Sequence, residues 1–130
     1  MAFRAIGLRP LVAPDRDHDL RRLIERTAVD LECPLNVKYE INDPELNLAL
    51  VRDGLAYAIL PDSAGLELTR GNKQMGERRL VRPHITRMQS VVRAADAAPG
   101  SALPAVEQAL RIVMQTLVVQ RVLRGKLTTA

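Results

Sequence analysis

Apolar residues recur along the chain with two different periods, which together predict a mixture of strands and helices. The run Leu11-Val12-Ala13 ends at Pro14 and is typical of a short buried strand. From residue 17 to residue 31 the apolar positions return every three or four residues, as in a helix with one buried face. The chain therefore begins its regular structure with a strand that leads into a helix.

The helix predicted over residues 17–31 has a charged face opposite its apolar one. Arg21, Arg22 and Arg26 fall on that second face, where the sequence predicts solvent exposure. Asp15 or Asp17 is the expected N-cap, because a short carboxylate can accept hydrogen bonds from the free backbone amides of the first turn.

Residues 35–41 alternate strictly between apolar and polar side chains, which predicts a strand with one wet face at an edge or interface. A second helix follows, with Asp43 as its cap, Pro44 in its first turn and Gly54 at its end. Residues 55–60 are apolar on both faces, which predicts a strand buried between two layers and closed by Pro61.

Asp62 and Ser63 are expected to cap a short helix that reaches Leu68, before a polar loop over residues 71–76. Further strands are predicted at residues 80–81 and 88–92, and residues 94–100 have the small side chains of a linker. The last pattern is a long helix from about residue 101 to 124, ended by Gly125. Alternating strands and helices predict an α/β fold with right-handed crossovers.

Composition limits the class of protein. The 130 residues suffice for one domain, and 47% hydrophobic with 26% charged residues is ordinary for a soluble globular chain. The net charge of +4 invites a nucleic-acid interpretation, but the basic residues are scattered, so we attribute the charge to solubility and expect no direct DNA binding. No apolar run approaches the length of a membrane span, and no signal peptide is evident, so the expected location is the cytoplasm.

Catalytic and metal chemistry find little support in the sequence. Ser63 lacks the glycine setting of a nucleophile elbow, and the single cysteine, Cys33, has no histidine at a recognisable spacing. His18 and His84 are too far apart in sequence for a known metal-ligand motif. We therefore predict no enzyme activity, no cofactor and no metal site.

Three stretches, in this order, carry a resemblance to a known family. The first begins at Pro10 with Leu-Val-Ala-Pro and continues through Asp-Arg-Asp-His-Asp-Leu to Arg21. The second is Asn-Val-Lys-Tyr-Glu-Ile from residue 36, and the third is Val-Arg-Asp-Gly-Leu-Ala-Tyr-Ala-Ile-Leu-Pro over residues 51–61. Over residues 8–124 the chain resembles the C-terminal part of the effector-binding domain of LysR-type transcriptional regulators.

The resemblance implies part of a type 2 periplasmic-binding-protein-like fold. Residues 1–85 would form the second lobe, and residues 86–130 would form the crossover strand and C-terminal helix that belong to the first lobe. The winged helix-turn-helix of a whole regulator does not precede these residues, so the chain is expected to be a truncated fragment.

In such domains a small effector, often an organic acid, binds between the lobes, near a helix N-terminus. Carried over to this chain, the effector-binding residues are Asp15, Arg16, Asp17, His18, Pro61, Asp62 and Thr86. Residue types alone allow another interpretation, in which Asp15 and Asp17 only cap the helix while Arg16 and His18 are solvated.

Two functions follow from the resemblance. The first is a ligand-sensing fragment of a LysR-type regulator that is expected to bind a small anionic effector and so modulate transcription. The second is a dimerisation or interaction module, without a ligand of its own, that pairs with itself or with a full-length regulator. One candidate interface is the apolar stripe of the last helix, and a second is formed by the strand over residues 35–41 with the helix over residues 17–31.

Overall fold

The computed structural model describes residues 1–69, 74–92 and 102–127. The chain forms two compact units, Met1–Arg87 and Met88–Ala130. The elements of the first unit are α1 (Phe3–Gly7), β1 (Leu11–Ala13), α2 (Asp19–Asp30), β2 (Val37–Glu40), α3 (Pro44–Arg52), β3 (Tyr57–Ala58) and α4 (Asp62–Thr69). The second unit contains α5 (Leu103–Val119).

The three strands form a parallel sheet in the order β2-β1-β3. The central strand β1 pairs Leu11 with Val37 on one side and with Tyr57 on the other. All three residues of β1 are buried, as a strand with helices on both faces requires. The mixed α/β class predicted from the sequence is confirmed.

The chain moves in opposite directions on the two sides of β1. It passes from β1 through α2 to β2 on one side, and then through α3 to β3 on the other. Right-handed crossovers place α2 and α3 on opposite faces of such a sheet. In agreement, α3 packs against β1 and β3, while α2 contributes to a separate apolar cluster.

That cluster is the main core of the first unit. Its buried members are Phe3, Leu20, Ile24, Ala28 and Cys33. Phe3 is completely buried, although it comes from α1, a five-residue helix too short to produce a readable periodicity. The core therefore includes the first residues of the chain, which the family resemblance did not cover.

Local capping decides where the helices begin and end. Asp43 accepts a hydrogen bond from the Leu46 amide at 2.9 Å, and Gly54 has φ +72°, so both predicted boundaries of α3 are confirmed. The predicted cap of α2 is wrong. His18, rather than Asp15 or Asp17, occupies the N-cap position, and its Nδ1 accepts from the Leu20 amide at 3.2 Å.

Three strand predictions need correction. Residues 80–81 form no strand, and a single isolated bridge joins Ala2 to Arg82, while residues 88–92 are irregular. The strand predicted over residues 55–60 is reduced to Tyr57–Ala58. It is not buried between layers, because β3 is an edge of the described sheet and the Tyr57 side chain is exposed. Apolar runs of this length do not reveal whether a partner strand exists.

The final helix is shorter than predicted. It ends at Val119, with Gln120 as C-cap and Arg121 at φ +58°, well before Gly125. In the described residues no helix is both long and apolar enough to cross a membrane. The predicted polar loop and small-residue linker fall largely on residues 70–73 and 93–101, which lie outside the described residues.

Candidate functional site

The loops that follow β1 and β3 lie at the same edge of the sheet. The two strands are parallel neighbours, with Val12 paired to Ala58, so their carboxyl ends point the same way. Residues 14–18 follow β1, and Pro61 and Asp62 follow β3. The first connection leads from β1 to β2 on one side, whereas the next leads back across the sheet to β3 on the other side. Open α/β sheets bind ligands in the crevice where the strand order reverses in this way.

Asp15 organises the first of these loops. Its Oδ2 accepts a hydrogen bond from Asn42 Nδ2 at 2.6 Å, and its Oδ1 accepts from the Asp17 amide at 3.1 Å. In return, the Asp15 amide donates to Asn42 Oδ1 at 3.0 Å. The hydrogen bond from Asn42 is the main cause that lowers the pKa of Asp15. Both carboxylate oxygens are thus engaged within the protein.

His18 stands at the start of α2 and is exposed. Because its Nδ1 accepts from the Leu20 amide, the neutral ring that makes this bond carries its proton on Nε2. The other amides of the first turn and the positive end of the helix dipole lie at the same point. This combination of donors suits a carboxylate.

Arg16 turns away from the loop toward the body of α2. Its Nε lies 3.6 Å from Glu25 Oε1, and its side chain is 76% exposed. Asp17 is exposed and its amide is used by Asp15. Of the four predicted residues in this loop, Asp15 and His18 therefore accept hydrogen bonds from the backbone, while Arg16 is exposed and lies in an ion pair with Glu25.

Pro61 and Asp62 form the corresponding turn after β3. The Pro61 carbonyl accepts from the Ala64 and Gly65 amides, and the Asp62 carboxylate lies 3.7 Å from Arg79 Nη2. What relates this turn to residues 15–18 is the shared edge of the sheet.

Thr86 is exposed and lies between two residues that approach the start of α2. Ile85 packs against the core cluster that contains Leu20. Asp19 has a lowered pKa, mainly because of its hydrogen bond with Arg22, and the positive charge of Arg87 contributes to the same shift. The structure thus brings the segment around Thr86 near the N-terminus of α2.

Two residues that position the site, Asn42 and Arg21, were not identified from the sequence. Asn42 follows β2, and the rule that parallel strands end at one edge could have identified it. Arg21 was predicted on the solvated face of α2, which is wrong, because its side chain is only 4% exposed. It reaches Glu40 and the carbonyl of the loop after β1, and helical periodicity gives no signal for such tertiary partners.

The described residues contain no group of three or more His, Cys, Asp or Glu side chains that could hold a metal ion. Cys33 is buried, and its Sγ lies 3.5 Å from the Pro34 carbonyl oxygen. This thiol belongs to the packing between α1 and α2.

Comparison with known proteins identifies one family. The family model described as LysR substrate binding domain matches residues 2–115, which is most of the chain. Neither the curated proteins nor the solved structures yield a significant match. The match begins at residue 2 and therefore includes α1 and Phe3.

Proposed function

The chain belongs to the LysR substrate-binding domain family, and from that premise we propose that it senses a small anionic effector at the sheet edge where β1 and β3 end. Domains of this family have a periplasmic-binding-protein-like fold and act as ligand-sensing parts of transcription regulators, which are not enzymes.

The observation that carries the proposal is the convergence of two loops at the reversal of strand order. Residues 14–18 bring the N-terminus of α2 to this edge, with His18 Nε2 and the first-turn amides as donors. Pro61 and Asp62 supply the turn on the other side. A carboxylate that binds here gains charge-assisted hydrogen bonds and a favourable interaction with the helix dipole.

Arg16 and Thr86 complete the proposed set. The Arg16 side chain is 76% exposed and Glu25 keeps its pair with Arg21, so exchanging the Arg16–Glu25 ion pair for one with an effector carboxylate costs little. Thr86 adds an exposed hydroxyl group next to Arg87, whose positive charge acts on Asp19. Asp15 and Asp17 hold the loop in shape, and we assign them to the site as residues that position the donors.

The test is a thermal-shift screen of small organic acids, followed by calorimetric titration of any acid that stabilises the protein. We expect Arg16→Gln to weaken binding about 10-fold, as the loss of one charge-assisted contact does. His18→Asn is expected to have a similar effect while it retains a side-chain cap on α2. Arg111→Gln is the matched control, because Arg111 pairs with Glu107 on α5. Equal affinities in all four proteins would refute the site.

A second function is favoured by the surface of α5. Val106, Leu110 and Val113 share one side of this helix at roughly half exposure. Apolar surface of this kind suits association, and the family implies oligomerisation. In this case the chain would act as a dimerisation module, or pair with a full-length regulator, without its own ligand. A stable dimer in light scattering, with no stabilisation by any acid, would favour this function.

As the resemblance implies, we assign residues 1–85 to the second lobe of the effector domain and residues 86–130 to the crossover and C-terminal helix of the first. We also place the protein in the cytoplasm, where regulators of this family act, and assign it no direct contact with DNA. A mobility-shift assay with this chain alone should show salt-sensitive, non-specific binding at most.

A further inference from the structure

One buried arginine joins three parts of the first unit. The Nε of Arg21 donates to Glu25 Oε1 at 2.9 Å within α2. Its Nη1 donates to the Pro14 carbonyl at 2.9 Å and to Glu40 Oε2 at 3.2 Å. Arg21 therefore links α2, the loop after β1 and the last residue of the edge strand β2.

Such a residue needs its partners. A guanidinium group with a side chain only 4% exposed is costly unless its charge and its donors are matched. Two carboxylates and one carbonyl meet that requirement here. The planar fork of arginine holds them in a fixed relative geometry, which lysine cannot reproduce.

The contacts continue outward to the proposed effector loop. Arg16 Nε lies 3.6 Å from the same Glu25 oxygen that accepts from Arg21. Glu25 is thus shared between an exposed arginine and a buried one. We call the resulting series of alternating charges the charge chain: Arg16, Glu25, Arg21 and Glu40.

We propose that Arg21 is a positioning residue that couples the loop of residues 14–18 to the edge strand β2 through the charge chain. An anion that draws Arg16 away leaves Glu25 to Arg21 alone, which strengthens that pair. The same guanidinium then binds Glu40 less strongly. The role of this coupling in sensing rests on the effector site proposed above, whereas the coupling itself requires no effector.

The experiment follows the side-chain carboxyl carbon resonance of Glu40 by NMR at neutral pH. Arg16→Gln removes the outer charge of the chain without touching Glu40. We expect it to shift the Glu40 resonance in the otherwise native protein, and to leave that resonance unchanged when Arg21→Met is also present. Arg22→Gln is the matched control, since Arg22 lies on the same helix but pairs with Asp19.

The substitution Glu25→Gln provides a second way to interrupt the charge chain if the Arg21→Met variant does not fold. Glu25 is one-third exposed, so Glu25→Gln should fold, and it must likewise abolish the effect of Arg16→Gln on Glu40. The coupling is overturned if Arg16→Gln never shifts Glu40, or if the shift survives either break. Because no ligand takes part, the failure of organic acids to bind would remove the effector site and leave this result intact.

Discussion

Asp15 and Asn42 hold each other by two reciprocal hydrogen bonds, although they are 27 positions apart in the sequence. Asn42 Nδ2 donates to the Asp15 carboxylate at 2.6 Å, and the Asp15 amide donates to Asn42 Oδ1 at 3.0 Å. The first residue lies in the loop after β1 and the second follows β2. The pair therefore fixes two loops to each other at the sheet edge where we propose that the effector binds.

This pair makes stability depend on pH. The folded-state pKa of Asp15 is lowered, chiefly by the hydrogen bond from Asn42, so the unfolded chain binds this proton more readily. The stability that the ionised Asp15 carboxylate contributes is fully present above the usual aspartate pKa of about 4. It is lost as the pH falls through the lower pKa of the folded state. The urea concentration at the midpoint of unfolding should therefore decrease when the pH is lowered below about 4. In the Asn42→Ala variant, the urea midpoint should decrease less at low pH than in the unsubstituted protein.

Asp19 provides the control for this pH effect. Its pKa is also lowered, mainly by Arg22, so Arg22→Gln should remove a different part of the same acid sensitivity. The two substitutions should act additively, because they affect separate carboxylates. If Asn42→Ala leaves the pH profile of the native protein unchanged, the Asp15–Asn42 pair does not have the role described.

Gly7 permits the close approach of α1 to the segment after α2. A Cβ at this position would lie 3.0 Å from the Pro34 carbonyl oxygen and 3.1 Å from Cys33 Sγ. Because one of these neighbours is backbone, Gly7→Ala should destabilise the protein by about 1–3 kcal/mol in urea unfolding. Gly76→Ala is the matched control, since a Cβ there meets nothing within 4 Å. Equal stability of the two variants would contradict this packing.

Gly54 ends α3 in the left-handed region, with φ +72°. A side chain at that φ is strained even though the surrounding space is open. Gly54→Ala should lower the free energy of unfolding by about 1 kcal/mol, and Gly54→Asn should cost less, because asparagine tolerates this conformation better. The reverse ranking in thermal melts would show that local backbone strain does not decide this boundary.

The sequence was most informative where local chemistry determines the structure. Asp43, Pro44 and Gly54 mark the ends of α3 because capping and left-handed geometry depend on neighbours in sequence. The cap of α2 was less predictable. Three residues before the helix can accept from its amides, and the hydrogen bonds of Asp15 with Asn42 leave His18 to cap it.

Tertiary partners account for the other differences. Nothing in the period of α2 distinguishes the buried Arg21 from the exposed Arg22, because the distinction depends on Glu40 and the Pro14 carbonyl. Likewise, residues 88–92, where a strand was predicted, form no strand in the structure. The candidate site followed from a family resemblance, and the structure adds the sheet edge that relates its two loops.

Phe3 provides the sharpest test of the fold, because it is completely buried and comes from a helix that the sequence pattern did not predict. Phe3→Ala would leave a cavity among Leu20, Ile24 and Ala28, and should cost about 3–5 kcal/mol of unfolding free energy. Leu8→Ala, at a side chain that is 65% exposed just after the same helix, should change stability by about 0.5 kcal/mol or less. Urea unfolding of both variants measures the two losses of stability. A small effect of Phe3→Ala would mean that α1 is not part of the core, and that the proposed site rests on residues from β1 onward.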